Sequence, residues 1–318
     1  MGDDSSRYRD ALGEIARIAI AAHQVAGDLI AEGEDTNNSN GEGSPGCRIK
    51  ALPARLQERA AQVAAQINPV NAPLYELLGN DVLVDSPLRL TLATQKYWGA
   101  GARRFTVSFM ETTPADLRAR IVSHLNAWSR STGMSFAETS GIGQVRISRG
   151  PGGFYSYLGT DVNLIPKNRQ TMNLQGFTMS TSEAEYRRVV RHEAGHTLGF
   201  PHEHMRKQLV ARIDPAKAYP YFLSTQGWSK QMVDQQVLTP LDERSILGTS
   251  PDQDSIMCYQ LPGRITFDGL PIRGGTDINT TDAAFAGRVY PRPGAALEPA
   301  ATQTEDDWDP AEDVAVPA

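Results

Sequence analysis

The chain has 318 residues, 40 % of them hydrophobic and 21 % charged, the proportions of a soluble globular protein of one large or two small domains. Its net charge of -6 includes seven acidic residues after Arg292 that no Lys or Arg accompanies, so the rest of the chain stands at +1 and carries no basic excess that would argue for nucleic acid. No apolar run reaches the ~18 residues that a membrane span requires.

Two cysteines, Cys47 and Cys258, cannot build a disulfide framework. The first ten residues, M-G-D-D-S-S-R-Y-R-D, lack the basic start and apolar core of a signal peptide. Localisation therefore stays open: cytoplasmic, or exported by a non-standard route.

In chain order, Tyr8 to Ile30 has helical character through Leu12, Ile15, Ile18 and Val25. Residues 32–49 begin with an Asn, Gly, Ser and Glu rich stretch and are expected to be a flexible linker. Leu52 to Ile67 is a second amphipathic helix, and Asp81 to Val84 and Leu88 to Leu92 suit short strands. Arg103 to Met110 alternates as a strand does. Thr113-Pro114-Ala115-Asp116 predicts a helix start with a Thr cap, and Leu117, Ile121, Leu125 and Trp128 follow at helical spacing as core. Gln144 to Ser148 is the next strand, and Gly150 to Gly153 a turn with none of the Gly-Lys-Ser/Thr of a phosphate loop. Gln170 to Gln175 alternates polar and apolar. Ser182 to Leu198 predicts a helix with a Ser182/Glu185 capping box. Ser229 to Gln236 and Asp277 to Val289 are further helices, and 294–318 is a Pro, Ala and acid rich tail expected to be disordered.

The chemistry concentrates in Arg191 to His204, R-H-E-A-G-H-T-L-G-F-P-H-E-H, which holds four of the six histidines. His192 and His196 are four residues apart, so a helix puts both imidazoles on one face. Glu193 lies beside the first. Gly199 can end the helix in a left-handed conformation, and the returning chain brings His202 as a third ligand. Three protein ligands with one open position is the catalytic arrangement of zinc. The glycine and the third histidine are independent requirements, which makes the extended H-E-x-x-H-x-x-G-x-x-H motif far more specific than H-E-x-x-H alone.

This stretch resembles the zinc signature of the metzincin metalloproteases. Glu203 after the third histidine, the run G-F-P-H-E-H-M-R, and Ser255-Ile256-Met257-Cys258-Tyr259 resemble the astacin group, whose Met-turn usually reads S-I-M-H-Y. The likeness runs from about Tyr97 to Pro291. It implies an α+β fold: a twisted mixed sheet with the active-site helix above, an irregular C-terminal subdomain below, and zinc in the cleft between. It divides the chain into a pro-segment-like region 1–95, a catalytic domain 96–293 and the tail. It implies a zinc-dependent endopeptidase with one catalytic zinc on His192, His196 and His202. Glu193 would be the general base, and Tyr259 the phenol that hydrogen-bonds the tetrahedral intermediate. Met257 would form an apolar floor, and Glu203 would pair with a processed N-terminus or form a local salt bridge. A protein or peptide substrate would lie extended along an edge strand near 170–175, in a protein expected to be a monomer.

Cys258 stands where astacins carry His, and reads as a buried, inert thiol. Two side chains could latch the zinc from the N-terminal third: Asp81, in a degenerate L-L-G-N-D echo of a pro-segment motif, and Cys47 as a thiolate; the absence of any latch stays open beside them. Two other functions fit the same residues, a toxin or effector protease with one narrow target and a non-catalytic zinc-containing module that binds peptides.

Overall fold

The structure, a computed structural model, describes residues 47–50, 52–71, 96–241 and 251–294. The expected helix from Tyr8, the linker up to residue 46, the strands at 81–84 and 88–92, Asp81 and the tail from 295 lie outside them.

Six strands form one mixed sheet: β1 (Cys47–Lys50), β2 (Arg103–Phe109), β3 (Met134–Glu138), β4 (Val145–Ser148), β5 (Phe154–Tyr157) and β6 (Met172–Leu174), in the order β1-β5-β6-β4-β2-β3. All pairings are parallel except β5 with β6. In β2 the alternation expected of a half-buried strand is present, with Phe105 and Val107 wholly buried between more exposed neighbours. Helix α1 (Gln57–Ile67) follows β1, and helix α2 (Ala115–Leu125) packs its Leu117, Ile121 and Leu125 into the main core with Trp128. Thr113 does not cap α2. Pro114 occupies that position, and the Thr113 hydroxyl donates to the Glu111 carbonyl instead.

The strand expected at 170–175 is present as β6, but it is not an edge. It lies between β4 and β5, and all three of its side chains are buried. The sheet ends at β1 and β3; β1 pairs with β5 on the side nearest the site, so β5 would be the edge there without it. This also corrects the linker, whose last residues, Cys47 to Ile49, are strand.

Helix α3 (Arg191–Leu198) is preceded by one turn, Glu183–Glu185, and a π-helical segment, Tyr186–Val190. Ser182 accepts from the Glu185 amide, so the cap is formed. The Glu185 carboxylate is turned instead to Arg188, at 2.6 and 3.0 Å. Gly199 ends the helix at φ 100°, where a side chain is strained. Beyond it the chain forms helix α4 (Pro215–Gln226), short turns and helix α5 (Thr280–Val289), with a second core around Leu209, Phe222, Trp228 and Leu261. The site lies between the two cores.

Candidate active site

Helix α3 supplies two of the site's imidazoles from one buried face. His192 Nδ1 lies 2.6 Å from the Ile256 carbonyl, and His196 Nδ1 lies 2.8 Å from the Phe200 carbonyl. Each contact makes Nδ1 the protonated nitrogen and leaves Nε2 with its lone pair for a metal. The turn after Gly199 returns His202, whose Nε2 is 3.1 Å from that of His196. So His192, His196 and His202 converge.

The fourth group comes from β1. Cys47 Sγ is 3.6 Å from Nε2 of both His196 and His202. These three imidazoles and the thiol are all buried, with one ligand atom from each lying within 4.8 Å of the others. Tetrahedral zinc with Zn–N of about 2.0–2.1 Å and Zn–S of about 2.3 Å gives N···N edges of about 3.3 Å and S···N edges of about 3.6 Å. The three edges among His196, His202 and Cys47, 3.1, 3.6 and 3.6 Å, fit. His192 Nε2 is buried with no hydrogen-bond partner among the described residues, which is how a ligand nitrogen stands before its metal is counted.

Electrostatics agree with the donor set. Burial lowers His192 to about 4, and burial with neighbouring imidazoles holds His196 and His202 well below the usual histidine range. All three are therefore neutral, as metal ligands must be. Burial raises the Cys47 thiol, with the Glu193 charge adding to it. A bound cation reverses that direction and deprotonates a coordinating thiol outright.

Glu193 is wholly buried beside this group. Neither carboxylate oxygen has a hydrogen-bond partner of normal geometry among the described residues, and burial raises its pKa to about 8. Beneath the helix Met257 comes close enough that a Cβ on Gly195 would lie 2.4 Å from its sulfur. Glycine at 195 is what lets the Met-turn reach the helix. The turn is held by Asp282, which accepts from the Ser255 hydroxyl at 2.6 Å and the Ile256 amide at 2.9 Å. Tyr259 is half-buried, with its ring 6.2 Å from that of His202. Cys258 is buried in the second core, its pKa raised to about 12 by burial, consistent with an inert thiol. Glu203 pairs with Arg206 at 3.2 Å and accepts from the Asp252 amide, so here it forms the local salt bridge.

Sequence reasoning missed two features. The strand beside the site that β1 covers is β5, F-Y-S-Y, because strand order follows from tertiary pairing that no local pattern reports. His204 also passed unassigned, although it follows the third ligand by two residues. Cys47 was one of two latch candidates beside Asp81; the short C-R-I-K run after a polar stretch was the available signal for its strand.

A buried donor set of one thiol and three imidazoles, brought together on an α+β scaffold by one helix, the turn after it and β1, is what a zinc metallopeptidase site requires. The chain belongs to the astacin family of peptidases, whose family model matches residues 91–266. A solved structure of myroilysin is 32 % identical, with a TM-score of 0.59 over 62 % of this chain and 96 % of that one. A second myroilysin crystal structure is 28 % identical over 78 % of this chain and all of that one, at a TM-score of 0.48. Zinc metalloproteinase nas-27 of Caenorhabditis elegans is 29 % identical over 135 residues, 42 % of this chain. That match spans 29 % of the length of the nematode protein.

Proposed function

We propose that the chain is a zinc-dependent endopeptidase held in a latent form by its own N-terminal region, residues 47–71. The observation that carries this reading is Cys47, whose Sγ lies 3.6 Å from two of the three zinc-site imidazoles, in the position a substrate or water would need.

Zinc, when bound, supplies a polarised carbonyl and a water acidic enough to ionise near neutral pH. The residues of this chain supply the rest. His192, His196 and His202 would hold the metal. Glu193, raised to about 8, is suited to take a proton at neutral pH and return it to the leaving amine. Tyr259 can donate its phenol hydrogen to the oxyanion of the tetrahedral intermediate. A substrate strand would align on β5 by backbone hydrogen bonds, since β5 is the one strand of the catalytic sheet whose outer side only β1 covers.

That cover is built to be removable. It is four residues long and parallel to β5, the slightly weaker pairing. Its side chains hold on through Arg48, donating to the Gly152 carbonyl at 2.5 Å, and Lys50, 4.8 Å above the Tyr155 ring. The following helix docks through a small cluster of Leu52, Ala60 and Ile165, and touches the main core through Ile67, while Asn71 beyond it donates to the Tyr97 carbonyl at 2.8 Å. Such a unit can open without unfolding the sheet.

The experiment is cleavage of a quenched fluorescent peptide by the zinc-loaded full chain and two variants. Cys47→Ala is expected to cleave at least about tenfold faster than wild type, a barrier change of about 1.4 kcal/mol. Adding Glu193→Ala should retain zinc and remove nearly all turnover, a loss of about 10² to 10⁴. Equal rates for wild type and Cys47→Ala would sink the latch. Undiminished turnover in the double variant would sink the assignment of Glu193.

A further inference from the structure

The three zinc-site imidazoles are not held alike. His192 and His196 each place Nδ1 against a backbone carbonyl. His202 Nδ1 is buried and has no hydrogen-bond partner among the described residues. A ligating histidine almost always donates its second ring nitrogen to a partner, which sets the plane of the ring. Something else must fix His202.

The ring against it is His204. Their centroids are 4.9 Å apart with planes tilted by 36°. His204 is itself 1 % exposed and tied at both nitrogens. Nε2 lies 3.0 Å from the Gln236 carbonyl, so it carries the hydrogen, and Nδ1 accepts from the Tyr259 amide at 3.4 Å. The Tyr259 ring lies 5.7 Å from that of His204 and 6.2 Å from that of His202, so the three rings form one cluster. The backbone on either side is tied as well, because the Glu203 amide donates to the Met257 carbonyl at 2.9 Å. One imidazole therefore spans the ligand turn, the Met-turn exit and the end of the helical segment Asp234–Leu238.

We propose that His204 is a positioning residue that orients the third zinc ligand by ring packing, in place of the missing hydrogen bond, and fixes the backbone pivot of Tyr259. The inference rests on the zinc-site reading above. It separates two jobs within one side chain. The ring face serves His202, and the ring nitrogens serve Tyr259 and Gln236.

The separation can be tested on the zinc-loaded full chain by the rate at which a coloured chelator extracts zinc. His204→Phe keeps a flat ring against His202 and loses both nitrogens. His204→Gln keeps a donor for Gln236 and loses the ring. Removal of a ligand's outer partner typically costs 10- to 100-fold in metal affinity. We expect His204→Gln to release zinc about 10 to 100 times faster than wild type and His204→Phe to stay within about threefold. Zinc release at the wild-type rate in His204→Gln overturns the proposal. Equal acceleration in both variants also overturns it, since the nitrogens and not the ring would then be the device. If His204→Gln does not fold, His204→Leu, which fills the site without a flat face, takes its place with the same expected acceleration and the same overturning result. A wild-type chain that binds no zinc would instead refute the zinc-site reading, which keeps the two failures apart.

Discussion

The two sides of the cleft bring their groups to one point by different physics. On the helix side, His192, Glu193 and His196 are placed by the 3.6-residue repeat, and carbonyls pin both imidazoles. On the turn side, His202, Met257 and Tyr259 sit in short irregular segments. The half-buried Asp282 carboxylate, the bonds donated by the Glu203 and Tyr259 amides and the packing of His204 hold them. The helix side is rigid because its own backbone is satisfied, whereas the turn side depends on long-range partners. A turn built this way can place a phenol that changes partners during a reaction, which a helix residue locked among its neighbours could not do.

On the turn side the largest expected effect is that of Tyr259→Phe on turnover. Tyr259→Phe keeps the ring and removes only the donor. In an unlatched Cys47→Ala background its kcat should fall by about 10² to 10³, with KM little changed, as for a hydrogen bond made only in the transition state. Zinc content and melting temperature should not move. A kcat within about twofold of the parent would remove Tyr259 from the chemistry, and loss of zinc would make its role structural.

Legibility in the sequence followed the same divide. Helix periodicity gave α2, the core positions Leu117, Ile121, Leu125 and Trp128, and the convergence of His192 with His196. The left-handed Gly199 was readable because helix ends have local chemistry. The turn side has no period, so the spacing of the extended histidine motif located His202 and the S-I-M-C-Y resemblance located Met257 and Tyr259, while nothing local showed that Asp282, 26 residues from Ile256, would hold that turn. Strand order was hidden for the same reason. Met172 to Leu174 alternates no differently from an edge strand, and only its pairing to both β4 and β5 makes it interior. Cys47 is the extreme case, 149 residues from His196 in the chain and joined to it by strand addition alone.

Stability should show the asymmetry too. Asp282→Ala leaves the Ser255 hydroxyl and the amides of Ile256 and Asn279 without their acceptor. The expected cost is about 3 kcal/mol in urea unfolding, with faster zinc loss, since three buried or half-buried donors go unpaired at once. A cost below about 1 kcal/mol would mean that the turn holds itself and the comparison fails. The helix side should be the more tolerant. Ser182→Ala removes the cap at the start of the segment leading into α3, for about 1 kcal/mol and no change in zinc release. Accelerated zinc release in Ser182→Ala would show that the helix ligands also depend on a remote support.

The central claim is that a thiolate from β1 completes the zinc site of the intact chain. X-ray absorption at the zinc edge of the full-length protein reads that shell directly. The account predicts three nitrogen scatterers at about 2.0–2.1 Å and one sulfur at about 2.3 Å, with the sulfur absent from Cys47→Ser. A shell of nitrogen and oxygen alone in the intact chain, or a sulfur that persists in Cys47→Ser, would contradict it.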